Sequence, residues 1–159
     1  MQHILVKKQV VFIICQKNKE VEQMIYEFEM IGSITGKARP RMNTRTGRAY
    51  TPTKTKLYEY SLRQWFLMNY PNFKPIDGRV KVSIIAYFEV PKSTSKKKEA
   101  EMLSNSISPT KKPDIDNIVK IVLDGMNKFA FKDDTQVIKL EVEKKYAETP
   151  RIYIKIEEY

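Results

Sequence analysis

Two stretches of the chain alternate strictly between apolar and polar residues. From Ile25 to Ile31, Tyr26, Phe28 and Met30 alternate with Glu27 and Glu29. From Arg79 to Val90, the residues Val80, Val82, Ile84, Ala86, Phe88 and Val90 all fall on one side. Side chains of a strand point to opposite faces in turn, so each stretch predicts a strand with one buried face. Two further strands are predicted: Gln136 to Tyr146, with Ile138, Leu140 and Val142 inward, and a last one carrying Ile152, Ile154 and Ile156 after Pro150. Helical spacing appears elsewhere. Thr51 can cap a helix with Pro52 in its first position, its inward face being Leu57, Ser61, Trp65 and Met68 with Leu62 beside it, and Pro71 marks its end. Asp116 to Phe129 predicts another helix, with Ile118, Val122, Met126 and Phe129 inward. Ser93 to Asn105, with Lys96, Lys97 and Lys98, reads as a short basic helix or a mobile flap.

Between the first strand and the first helix, Gly32 to Thr51 is rich in Gly, Arg, Ser and Thr and predicts a long basic loop, of the kind that in compact domains usually serves function. The order β, loop, α, β, α, α, β, β implies an α/β (α+β) domain with a single mixed sheet of about four strands packed with helices. Residues 1–23 form a prefix to a domain spanning 24–159, and Val10 to Ile14 within it could add an edge strand. No internal repeat or second domain is visible.

Composition narrows the chemistry. His3 and Cys15 are the only histidine and cysteine. This excludes zinc sites built from those residues, an imidazole base and an intramolecular disulfide, and it suits a reducing compartment. Any metal must be held by oxygen, which selects hard divalent cations, Mg²⁺ with Mn²⁺ as a substitute. No apolar run approaches a membrane span, and the short Val10–Cys15 stretch is followed by Lys17, Lys19 and Glu20 instead of a cleavage site, so a cytoplasmic location is expected. The net charge of +10 points to an anionic partner. Lys37, Arg39, Arg41, Arg45 and Arg48 crowd the basic loop, and guanidinium forks match phosphate oxygens. These five, with Lys112, are the expected DNA contacts.

Against this basic background, aspartates concentrate in one region: Lys112-Pro113-Asp114-Ile115-Asp116-Asn117, then Lys120 and Asp124, then Asp133-Asp134-Thr135-Gln136-Val137. In extended chain, Asp114 and Asp116 point the same way, and with Asp116 as N-cap the helix begins at Asn117. Lys120 is then one turn along on the same face. Asp134 is in phase with the inward side of the following strand, so its carboxylate must be paired, metal-bound or at the end of the sheet. Taken singly, each feature is ordinary: a cap beside a solvated carboxylate, a surface lysine, a turn. Together they predict that Asp114, Asp116 and Asp134 gather, with cations relieving their mutual repulsion, into a site able to hydrolyse a phosphodiester.

The string Lys-Pro-Asp-Ile-Asp-Asn-Ile-Val-Lys (112–120), Leu123-Asp124-Gly125 and Asp133 to Val137 resembles the signature of the RusA family of Holliday-junction resolvases. Gly32 with Lys37 to Arg41, Tyr50-Thr51-Pro52 and Tyr58-Glu59 is similar to the amino-terminal half of that family, and Lys145-Tyr146 through Ile156 fits its ending. The likeness runs from about Met24 onward. It implies Asp114, Asp116 and Asp134 as metal-binding catalytic aspartates, Lys120 as catalytic lysine and Asp133 as an acidic neighbour. It further implies a homodimer that places paired nicks in branched DNA, a four-way junction, in recombination and repair. A nuclease for flaps or forks, and a non-catalytic binder of branched DNA, are the competing readings.

Overall fold

The computed structural model describes residues 23–159. The proposed prefix strand at Val10 to Ile14 lies outside them. The described chain runs β1 (Ile25–Ile31), β2 (Arg41–Met42), β3 (Ala49–Tyr50), α1 (Thr53–Asn69), β4 (Val80–Glu89), α2 (Lys96–Leu103), α3 (Ile115–Met126), a 3-10 turn at Asp134–Gln136, β5 (Val137–Ala147) and β6 (Arg151–Glu158). Four strands form one sheet in the order β1-β6-β4-β5. The β1–β6 and β6–β4 pairs are antiparallel, whereas β4 and β5 are parallel, joined by the crossover that contains α2 and α3. This is the mixed sheet that the pattern predicts.

The core lies on one face of the sheet. Tyr26, Phe28 and Met30 of β1, alternate residues of β4 from Val80 to Phe88, and Ile152, Ile154 and Ile156 of β6 are all buried there. Helices α1 and α3 pack on that face, contributing Leu62 and Phe66 from α1 and Ile118, Ile121, Val122 and Met126 from α3. The opposite face is polar and laced with ion pairs, such as Lys81 with Glu141 and Arg151 with Glu29. No described helix is long and apolar enough to cross a membrane.

Several elements depart from the pattern. The inward stripe of α1 is Thr55, Leu62 and Phe66, while Leu57 and Met68 are 60% and 76% exposed. An aromatic cluster turns the helix this way: the Phe66 ring meets Tyr26 at 5.1 Å and Phe73 at 5.5 Å between centroids. Edge-to-face ring pairs of this kind add to the simple burial of area, so Phe66 outcompetes its neighbours for the interior. Helix α3 begins at Ile115 with Asp114 as the N-cap, two residues earlier than expected, which puts Asp116 in the first turn. The basic loop is in part ordered as the β2–β3 hairpin. Asn43 Oδ1 accepts from the amides of Arg45 and Thr46, and Gly47 takes the positive φ of 66° that the turn requires.

Candidate active site

Helix α3 starts where the carboxyl-terminal ends of β4 and β5 meet, and this position is fixed from several sides. Lys144 of β5 reaches over Phe88, 5.1 Å from the ring centroid, and donates to the carbonyl of Pro113 at 3.2 Å. From the other side the chain before the hairpin closes in. The Lys37 amide donates to the Asn117 carbonyl at 2.8 Å, and Gly36 lies so close that a Cβ there would meet Pro113 Cβ at 2.6 Å and Asn117 Cβ at 3.0 Å. Only glycine permits this approach. Lys37 then continues inward, with its Nζ 2.6 Å from both Glu59 and Asp124. Partial burial works against that ammonium, but its hydrogen bonds to the two carboxylates outweigh burial and raise its pKa. Expected to hold DNA, Lys37 is instead neutralised between α1 and α3, and it ties together motif stretches that are far apart in sequence.

At this end of the helix the acidic side chains are free of structural work. Asp114 occupies the N-cap with an extended backbone, yet its carboxylate makes no capping hydrogen bond. Asp116, two residues on, is exposed. Its partners are Lys120 Nζ at 3.2 Å, the i,i+4 pair that spacing predicts, and the adjacent Asn117 amide at 3.2 Å. Two exposed carboxylates, one of them paired with an ammonium, therefore face solvent at a helix amino terminus, which itself favours anions. Alongside lies a shallow groove of about 390 Å³ lined by Lys92, Lys111, Lys112 and Phe88, among others.

The second pair of aspartates lies elsewhere. Asp133 caps the 3-10 turn: its Oδ1 accepts from the Thr135 amide at 3.1 Å and the Thr135 hydroxyl at 2.8 Å, while the Gln136 side chain accepts in return from the Asp133 amide at 2.8 Å. Those hydrogen bonds, the side-chain one first, hold the Asp133 carboxyl down at about 2, with Lys128 at 3.4 Å assisting. Gln136 also donates to the carbonyls of Ile76 and Gly78, which pins the turn at the amino-terminal end of β4. Asp134 is exposed in this turn and has no salt-bridge partner among the described residues.

The expected gathering of Asp114, Asp116 and Asp134 does not occur within one chain. Among the described residues, no group of three or more His, Cys, Asp or Glu side chains is placed to hold a metal ion. The reason is topological. Helix α3 runs back along β5, so its start lies by the end of the strand and its end by the strand's start. Twelve residues at about 1.5 Å each separate the two acidic ends by roughly 18 Å. Strand phase could not reveal this, because Asp134 belongs to the turn before the strand and not to the strand itself.

The expected DNA contacts divide. Arg39, Arg41, Arg45 and Arg48 are all exposed on or beside the β2–β3 hairpin, and none has a carboxylate partner among the described residues. Lys112 is exposed in the groove next to Asp114. Gly36 and Lys144, which position the helix start, carry no local sequence signal; only the close approach of glycine to a motif could have hinted at one.

Comparison with known proteins gives concordant results. A family model described as endodeoxyribonuclease RusA matches residues 32–157. An uncharacterized protein of Bacillus subtilis (strain 168), YqaN, is 35% identical over 139 residues, covering 83% of this chain and 95% of that protein.

Proposed function

Because this chain belongs to the RusA family of endodeoxyribonucleases, we propose that it is a divalent-metal-dependent, structure-selective nuclease that introduces paired nicks into four-way DNA junctions as a homodimer. The observation that carries the reading is the open amino terminus of α3, where Asp114 and Asp116 offer carboxylate oxygens that no capping bond consumes. That donor set fits Mg²⁺, which is commonly bound through one or two carboxylates with the remaining positions left to water and substrate phosphate. Bound there, the cation would polarise the phosphodiester and lower the pKa of the attacking water.

The chain's own groups supply the rest. Lys120, one turn along from Asp116, places positive charge where the phosphate oxygens gain negative charge. The exposed arginines of the hairpin grip the backbone at a distance from the scissile bond, and Lys112 does so close to it. Asp134 is the third acidic participant in preference to Asp133, whose oxygens are already engaged by Thr135.

The test compares rates of cleavage of a synthetic four-way junction, a flap and a linear duplex, with Mg²⁺ and with EDTA. The junction should be cut fastest, symmetrically and only with the metal. Faster cutting of the flap would reassign the substrate, and metal-independent cutting would remove the acidic site from the chemistry.

A further inference from the structure

We propose that the β2–β3 hairpin carries a stacking subsite for a nucleobase, with the Tyr50 ring as its platform, and that this subsite favours branched over linear DNA. The inference rests on the nuclease reading above and deepens it, because it assigns substrate choice to a residue outside the acidic site.

The first observation is the company that Tyr50 keeps. In the hairpin register Arg41 lies directly opposite Tyr50, and Met42 lies opposite Ala49. The Asn43 amide donates to the Arg48 carbonyl at 2.9 Å, which carries the pairing one residue further. Side chains alternate between the two faces of such a ribbon, so Arg41, Arg48 and Tyr50 share one face, while Met42 and Ala49 take the other. One tyrosine thus stands between two guanidinium groups, and neither arginine has a carboxylate partner among the described residues.

The second observation is that the ring is unused. Tyr50 is 46% exposed, and among the described residues no second ring or cation lies against it. Other tyrosines of the chain are engaged. Tyr26 packs on Phe66 and donates to the Lys74 carbonyl, Tyr70 donates to the Glu27 carbonyl, and Tyr87 is covered by the Arg151 guanidinium at 3.9 Å. An open aromatic face among phosphate-binding groups is the arrangement on which an unstacked base settles, and it tolerates any base because every base has a π face.

The third observation is reach. The Lys37 amide is bonded to the Asn117 carbonyl of α3, and Arg41 follows four residues later, at most about 14 Å of extended chain. Adding about 5 Å across the hairpin pair keeps Tyr50 within about 20 Å of the helix start. That distance is about six nucleotides of strand at roughly 3.4 Å each, so the ring can meet a base near the phosphate that is cut. In linear duplex every internal base is covered above and below, and the ring has nothing to stack on. At the open centre of a four-way junction the innermost pairs lack a neighbour on one side, and unstacking them costs less. Tyr50 therefore adds affinity for the branch point and none for an unbranched arm.

The test measures affinity of the full chain in EDTA, by fluorescence anisotropy, for a four-way junction and for linear duplex of the same arm sequence. Tyr50→Ala should weaken junction binding by at least about tenfold and change duplex binding by less than about twofold. Tyr50→Trp should keep the wild-type preference, whereas Tyr50→Leu, apolar but without a π face, should be as weak as the alanine variant. Tyr60→Ala, which removes an exposed ring of α1, should leave junction affinity unchanged. With abasic sugars in place of the innermost bases, wild type and Tyr50→Ala should bind the junction equally. An equal loss on junction and duplex would put the ring in a duplex groove and overturn the proposal. So would undiminished junction affinity of Tyr50→Ala or Tyr50→Leu in the face of a wild type that prefers the junction; both results leave the nuclease reading standing. A wild-type chain that binds neither DNA would overturn the subsite and the nuclease reading together.

Discussion

The two ends of α3 carry the same residue type in opposite roles. At the amino-terminal end, Asp114 stands in a capping position without making the capping bond, and Asp116 is left with an exposed lysine and a neighbouring amide. At the other end, Asp133 makes a full reciprocal cap, and its neighbour Asp134 is left open. An aspartate that caps lowers the energy of the fold, while one that declines the cap keeps its lone pairs for something else. The difference separates a carboxylate that builds the turn from those left open to solvent.

The contrast can be broken first at the open end. Replacing Asp116 by Asn should reduce junction cleavage by about 10³-fold, since charge stabilisation at a metal-assisted phosphoryl centre is worth several kcal/mol. Binding in EDTA should hold or tighten, because a negative charge beside the phosphates is gone. Electrophoretic mobility shifts beside cleavage rates check this, and a parallel loss of binding would make Asp116 structural. Next in size is Gly36→Ala. With Pro113 Cβ 2.6 Å from the new methyl, the clamp on the helix start must shift, at a cost of about 1–3 kcal/mol. Thermal unfolding should report that loss, and cleavage should fall more than binding does, because the hairpin arginines are untouched.

A smaller effect is expected at the hairpin. Arg41→Ala and Arg45→Ala should each lower the slope of log affinity against log salt by about 0.9, as expected when one fewer phosphate is neutralised. An unchanged slope would take the hairpin out of the interface. The smallest effect belongs to the closed end. With its folded value near 2 against an ordinary 3.8, Asp133 contributes stability that is present above pH 3.8 and lost as pH falls toward 2. Asp133→Asn should therefore be less stable than wild type at neutral pH, with the gap closing over that acid window in denaturant titrations. A gap that persists to pH 2 would show that the loss came from packing and not from the carboxylate charge.

Strands were the most legible part of the fold. Tyr26, Phe28 and Met30, the row from Val80 to Phe88, and the isoleucines of β6 are buried in the phase their spacing predicts, because a strand between or beside other strands has one face on the core. The α1 face was less legible: Leu57, Ser61, Trp65 and Met68 make a plausible stripe, but Leu62 and Phe66 face inward, since ring packing against Tyr26 and Phe73 decided the rotation. On β5 the phase was right and the burial was not. Leu140 points to the core side but sits at an edge, and period-two spacing carries no information about strand order.

By itself the amino-acid sequence determined the inventory: aspartates concentrated in one region of a chain almost without histidine and cysteine, an arginine-rich segment, the Asp116–Lys120 pairing one turn apart, and the alternation that makes a mixed sheet. These follow from side-chain chemistry and from local geometry, which extends only a few residues. Tertiary structure alone decided which of those groups meet. It neutralised Lys37 between Glu59 and Asp124, set Gly36 against the helix start, and sent Asp134 to the far end of α3. Such meetings depend on the direction in which a helix returns along a strand, and no local pattern encodes that direction.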